Sequence, residues 1–152
     1  MHPACLSIAA PDLALIEAEA RRSVPREACG LLVGTETPDG TLSVGAIVPC
    51  ANVADGLDRF EIDPKALLAT HRALRGGPAQ IIGHYHSHPG GPALPSASDR
   101  AAAHTPGLAW LILGIAADGA VTRAAFLHRR DVPPPPPLVP LEALRLTIRP
   151  QR

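Results

Sequence analysis

"GHYHSHPGGPALPSASD", residues 83–99, places His84, His86 and His88 within five positions, then runs through a proline- and glycine-rich turn to Ser96 and Asp99. The run that carries the histidines, "AQIIGHYHSH" (79–88), is bounded by Pro89 and predicts a strand. On a strand, residues two apart share a face, so His86 and His88 project together, His84 joins the same row, and Ser87 points away. The prolines and glycines of "PGGPALP" suit a tight, ordered return that could bring Asp99 back to the imidazoles. Two same-face imidazoles and a carboxylate make a plausible three-ligand site for catalytic zinc, which keeps its fourth position for water. Each piece has a plainer reading. His-x-His is found on strands as two surface or core histidines. Ser96-x-x-Asp99 fits a helix capping box, in which the two side chains satisfy free backbone donors. Glu27, ahead of an apolar strand, reads by default as a solvated charge.

Outward from this stretch, "PDLALIEAEARRS" spaces Leu13, Ile16 and Ala20 helically, with Asp12 early and Arg21 and Arg22 late, which predicts a helix over Pro11 to Ser23. "EACGLLVGT" and "TLSVGAIVPC" are strand-like runs joined through Asp39-Gly40, a hairpin signal. "RFEID" predicts a further short strand. Asp63 caps a helix from Pro64 to Arg75, with Pro64 at its first position. "SASDRAAAH" predicts a short helix, and "AWLILGIAAD" and "VTRAAFLH" form a second hairpin around Asp118-Gly119. This order predicts a single α/β domain over residues 1–132, a mixed sheet with helices packed on it. Pro133 to Pro137 predict a polyproline II strap. It leads to a terminal segment, residues 133–152 in all, packed on the same domain. Within that segment "LEALRLTIR" fits a strand or a helix.

The composition supports a globular chain: 46% hydrophobic, 18% charged, 152 residues. Fourteen basic residues balance fourteen acidic ones, which gives no reason to expect nucleic acid or an anionic membrane as partner. No apolar run approaches the roughly 20 residues needed to span a bilayer, and Asp12, Glu17 and Glu19 stand where a signal peptide would be apolar. Cys5, Cys29 and Cys50 form no CxxC pair and read as reduced thiols of a cytoplasmic protein.

Glutamate, then His-x-His, seven residues, Ser, two residues, Asp resembles the signature of the JAMM, or MPN-plus, zinc metalloproteases; here it stands as Glu27, His86, His88, Ser96 and Asp99. The flanking "EACGLLVG" and "RFEIDP" are similar to the short bacterial members, and the resemblance covers roughly residues 12–128. It implies the MPN fold, which is cytidine-deaminase-like. It also implies Zn2+ held by His86, His88 and Asp99, with water in the fourth position. Glu27 would then be the general base, and Ser96 the donor to the developing oxyanion. His84 stands where relatives often carry a bulky residue, as a substrate-facing or a packing group. Cys29 reads as a small buried hydrophobe. His2, His71, His104 and His128 read as surface or helix-end residues, and Asn52, Arg59 and Glu61 carry no derivable role.

The family cuts amide bonds after the C-terminal Gly-Gly of ubiquitin-like proteins, so the implied partner is a ubiquitin-like or sulfur carrier protein with such a tail. A side-chain-free tail can lie extended in a narrow groove, and a sheet edge beside the motif strand could hold it by strand addition. A deconjugase removing a ubiquitin-like protein from lysines would use the same residues. A metal-free MPN scaffold would have lost ligands that this chain retains. A zinc nucleobase deaminase would need H-x-E with PCxxC, which is absent.

Overall fold

The chain turns over Thr37 to Gly40, where the Gly40 N–H donates to the Thr37 carbonyl at 3.0 Å and Gly40 follows at φ +82°, and the strands on either side pair antiparallel. The computed structural model describes residues 2–133 and 139–151. Its elements in chain order are β1 (Cys5–Ala9), α1 (Ala10–Ser23), β2 (Cys29–Glu36), β3 (Thr41–Cys50), α2 (Pro64–Leu74), β4 (Gln80–Pro89), α3 (Ala97–Ala101), β5 (Ala109–Ile115), β6 (Val121–Leu127) and β7 (Glu142–Arg149). The strands run β1-β3-β2-β4-β5-β6-β7, and β7 returns to pair with β1, so the mixed sheet closes. The pairs β1–β3, β1–β7 and β4–β5 are parallel, the rest antiparallel.

The central strand β5, "AWLILGI", is buried at every position, as a strand covered on both faces should be. Its alternate residues serve two cores. Leu111 and Leu113 pack with Leu13 and Ile16 of α1, with Leu6, Ile8 and Leu32, and with Tyr85 of β4. Trp110 and Ile112 pack on the other face with Ala103, Phe126, Val139 and Leu141. β4 lies parallel to β5 in a register that pairs Gly83 with Ala109. A Cβ at Gly83 would stand 2.4 Å from the Ala109 carbonyl oxygen, so only glycine admits this approach.

The structure departs from the sequence reading in four places and decides a fifth that the sequence left open. A strand, β1, precedes the first helix. "RFEID" is not a strand: one isolated bridge, Asn52 to Ile62, is all it forms. The Arg59 carbonyl and the Glu61 N–H, which a ladder would use, are instead taken by the Asn52 side chain. "LEALRLTIR" resolves as the strand β7. His128 is fully buried, its Nε2–H donating to the Val132 carbonyl at 2.8 Å. β4 is paired on both sides, with β2 and β5, so no free edge lies beside the motif strand for strand addition. The expected polyproline strap lies, from Pro134 onward, outside the described residues. No helix among the described residues is long and apolar enough to cross a membrane.

Candidate metal centre

The alternation that puts Tyr85 in the α1-side core turns His84 and His86 to the opposite face, where both rings stand against Trp110. Beyond His88 the chain leaves β4, crosses through α3 and returns parallel as β5. The crossover thus begins at the carboxyl end of β4. Ser96 caps α3: its Oγ accepts the Asp99 N–H at 3.0 Å, and Asp99 Oδ2 accepts the Ser96 N–H at 2.9 Å. The same Oδ2 lies 3.1 Å from His86 Nε2 and 3.1 Å from His88 Nε2, and the two nitrogens are 3.0 Å apart. Capping and ligation are therefore compatible. The cap is what aims the carboxylate.

Counting donors shows what this triangle lacks. His88 Nδ1–H donates to the Pro92 carbonyl at 2.9 Å, so the neutral ring turns a lone pair on Nε2 toward Asp99. Two acceptors facing each other at 3.1 Å require a proton or a cation between them. Burial alone would raise Asp99, but the contacts with His86 and His88 outweigh it and hold the carboxyl well below its usual range. Burial pulls the fully enclosed His86 down, against the upward effect of Asp99. Burial also disfavours charge on His88, yet the Asp99 carboxylate and the Pro92 carbonyl push it up on balance. Ligands about 2.0–2.2 Å from a tetrahedral zinc would stand roughly 3.3–3.6 Å from one another, a few tenths of an ångström wider than the edges of this triangle. The donor set, two imidazoles and one carboxylate, could hold such an ion.

Glu27 completes the cluster: one ligand atom each from Glu27, His86, His88 and Asp99 lie within 4.8 Å of one another. It lies two residues before β2 and is placed by its backbone neighbours. Ser87, the residue between the paired histidines, accepts the Ala28 N–H on its Oγ at 2.8 Å and donates its own N–H to the Ala28 carbonyl at 3.1 Å. Glu27 is 5% exposed, and its Oε1 is buried with no hydrogen-bond partner among the described residues. Burial pushes its carboxyl up to about 7; His88 opposes this, while Asp99 and Asp58 add to it. A buried carboxylate oxygen with no partner among the described residues is a group awaiting one.

The walls are aromatic. Phe60 stacks on His86 with ring centroids 4.2 Å apart and planes 18° from parallel, and meets Trp110 edge-on. His84 packs against Trp110 at 4.4 Å and is pushed down to about 3 by burial first and by His86 second, so it stays neutral. From this wall a groove of about 720 Å³ opens, lined by Phe60, His84 and Trp110 with Leu31, Leu67 and Leu108. His71 and His104 also line it but stand apart from the cluster, exposed. Cys29 is fully buried opposite His86, its thiol pushed up to about 12 mainly by burial, so it offers no nucleophile. The sequence named Ser87 and Asn52 without assigning them a part in the site, and it missed Phe60. The available signal for Phe60 was rarity: only 3% of the chain is aromatic, yet its single Trp and one of its two Phe stand here.

The family model of prokaryotic homologues of the JAB domain matches residues 10–128. A desampylase of Haloferax volcanii is 35% identical over 112 residues, covering 70% of this chain and 78% of its own. A probable TtuB-protein conjugate cleaving protease of Thermus thermophilus is 38% identical over 79 residues, covering 51% of this chain and 49% of that protein. Two solution structures share the fold. A protein of Desulfitobacterium hafniense gives a TM-score of 0.76 at 30% identity, over 94% of this chain and 93% of that one. A protein of Salinibacter ruber gives 0.60 at 32%, over 90% and 95%.

Proposed function

This chain belongs to the family of prokaryotic homologues of the JAB domain and is a peptidase, and on that premise we propose that it hydrolyses, with zinc, the bond after the C-terminal Gly-Gly of a small ubiquitin-like or sulfur carrier protein. The observation that carries this reading is the convergence of His86 Nε2, His88 Nε2 and Asp99 Oδ2 with a carboxylate oxygen of Glu27, a residue whose Oε1 is buried without a partner among the described residues. His86, His88 and Asp99 hold the metal. Zinc, when bound, supplies a Lewis acid and lowers the pKa of a coordinated water toward 7. Glu27 takes a proton from water as the water oxygen bonds to the scissile carbonyl carbon, and passes it to the amine nitrogen as the C–N bond breaks. Ser96 Oγ already accepts the Asp99 N–H, which leaves its own hydrogen to donate to the developing oxyanion. The name of the Thermus relative, a probable TtuB-protein conjugate cleaving protease, supports counting conjugates with other proteins among the substrates.

A tail without side chains suits a site crowded by Phe60 and Trp110. A carrier extended by a few residues past Gly-Gly is therefore expected to be cut only after the second glycine. Changing that glycine to valine should lower turnover by about 10²-fold, the cost typical of a 1 Å misplacement, while the carrier still binds. Intact mass spectrometry of both substrates checks this. Equal cleavage of the two, or cuts scattered along the tail, would leave a peptidase that does not read diglycine.

A further inference from the structure

Asn52, just beyond β3, uses every hydrogen-bonding position of its side chain. Nδ2 donates to the Glu27 carbonyl at 3.0 Å and to the Arg59 carbonyl at 3.1 Å. Oδ1 accepts the Ala54 N–H at 3.0 Å and the Glu61 N–H at 3.0 Å. The amide's orientation follows from chemistry, since both partners of Nδ2 are carbonyls and both partners of Oδ1 are N–H groups. Around it, Val53 N–H donates to the Glu61 carbonyl at 2.9 Å. Arg26 Nη2 donates to the Asn52 and Ala54 carbonyls at 3.1 and 2.9 Å. The segment gathered in this way presents Phe60 to the face of His86. One side chain thus ties the backbone of the proposed base to the loop that packs on a proposed ligand.

We propose that Asn52 is a positioning residue for the hydrolysis, fixing Glu27 against the His86–His88–Asp99 cluster and holding Phe60 over His86; this rests on the reading of the site given above. The two halves of its amide have separable jobs. Oδ1 shapes the loop through Ala54 and Glu61. Nδ2 couples that loop to Glu27. Only an amide on a one-carbon stem supplies two donors and two acceptors at these positions, because aspartate has no donor and glutamine is a methylene longer.

Two variants separate the jobs. Asn52→Asp keeps both acceptors and removes both donors; Asn52→Ala removes all four. In Asn52→Asp we expect slow amide exchange at Ala54 and Glu61, as in the parent, with KM and zinc content unchanged. Its kcat should nonetheless fall about 10–100-fold, the range typical when the support of a metal site is removed. Asn52→Ala should show faster exchange at Ala54 and Glu61, a raised KM and the same fall in kcat, still with one zinc per chain. Wild-type kcat in Asn52→Asp would overturn the coupling to Glu27. Unchanged exchange in Asn52→Ala would overturn the loop role. If the parent fails to cleave any diglycine carrier, the functional reading fails, while the exchange rates at Ala54 and Glu61 still decide the staple.

Discussion

Glu27→Gln is expected to bind zinc and fold as the parent does, yet to lose about 10²–10⁴ in kcat, the range that general acid–base catalysis contributes. The substitution keeps the shape of a residue placed by its backbone. The Glu27 carbonyl is held by Asn52, and the following N–H by Ser87, so neither anchor depends on the carboxylate. What disappears is the carboxylate whose Oε1 is buried without a partner among the described residues, a group that burial has already pushed to about 7, where taking and releasing a proton are both easy. Steady-state kinetics beside metal analysis checks this. An inactive variant that has also lost its metal would make Glu27 a ligand, not a base.

The second large effect is expected from His88→Ala: zinc lost on dialysis and cleavage abolished. His88 is the cleaner of the two imidazoles to remove. Its side chain is 11% exposed, whereas that of His86 is 0% exposed and stacked on Phe60. His86→Ala should therefore lose the metal and also leave a cavity, adding a loss of stability that His88→Ala does not share. Each change also leaves Asp99 with one fewer partner against the burial that disfavours its charge. Metal analysis and thermal unfolding of the two variants together separate ligation from packing. Zinc content unchanged in both would remove His86 and His88 from the site.

The His86, His88 and Asp99 part of the cluster was legible because its parts are local, whereas Glu27 entered only through the resemblance to the JAMM signature. Two-residue strand periodicity alone aligns His86 with His88, and the Ser96-x-x-Asp99 cap alone turns the carboxylate inward. The cap and the metal site looked like competing readings of Asp99, yet Oδ2 reaches the Ser96 N–H and both imidazoles at once. What the sequence did not disclose is held by distant partners. β1 is five buried residues, "CLSIA", with no in–out alternation, and it becomes a strand only by pairing with β3 and with β7 across 140 positions, as Cys5 does with Arg145. The choice between strand and helix for "LEALRLTIR" rested on the same closure. "RFEID" has strand-like composition, but Asn52 takes its backbone groups, which no local propensity reveals. His128 gave no sign of burial because its partner Leu108 is brought in by the β5–β6 pairing and its partner Val132 by the turn that follows β6.

Removing the metal tests zinc-dependent cleavage most directly. The parent protein is treated with chelator until zinc is undetectable, then titrated with zinc while cleavage of a carrier extended past Gly-Gly is followed by intact mass. Cleavage should vanish in the metal-free protein and return in full at one equivalent of zinc per chain, with the cut after the second glycine. Undiminished cleavage by protein verified to be free of metal would contradict a hydrolysis built on His86, His88 and Asp99.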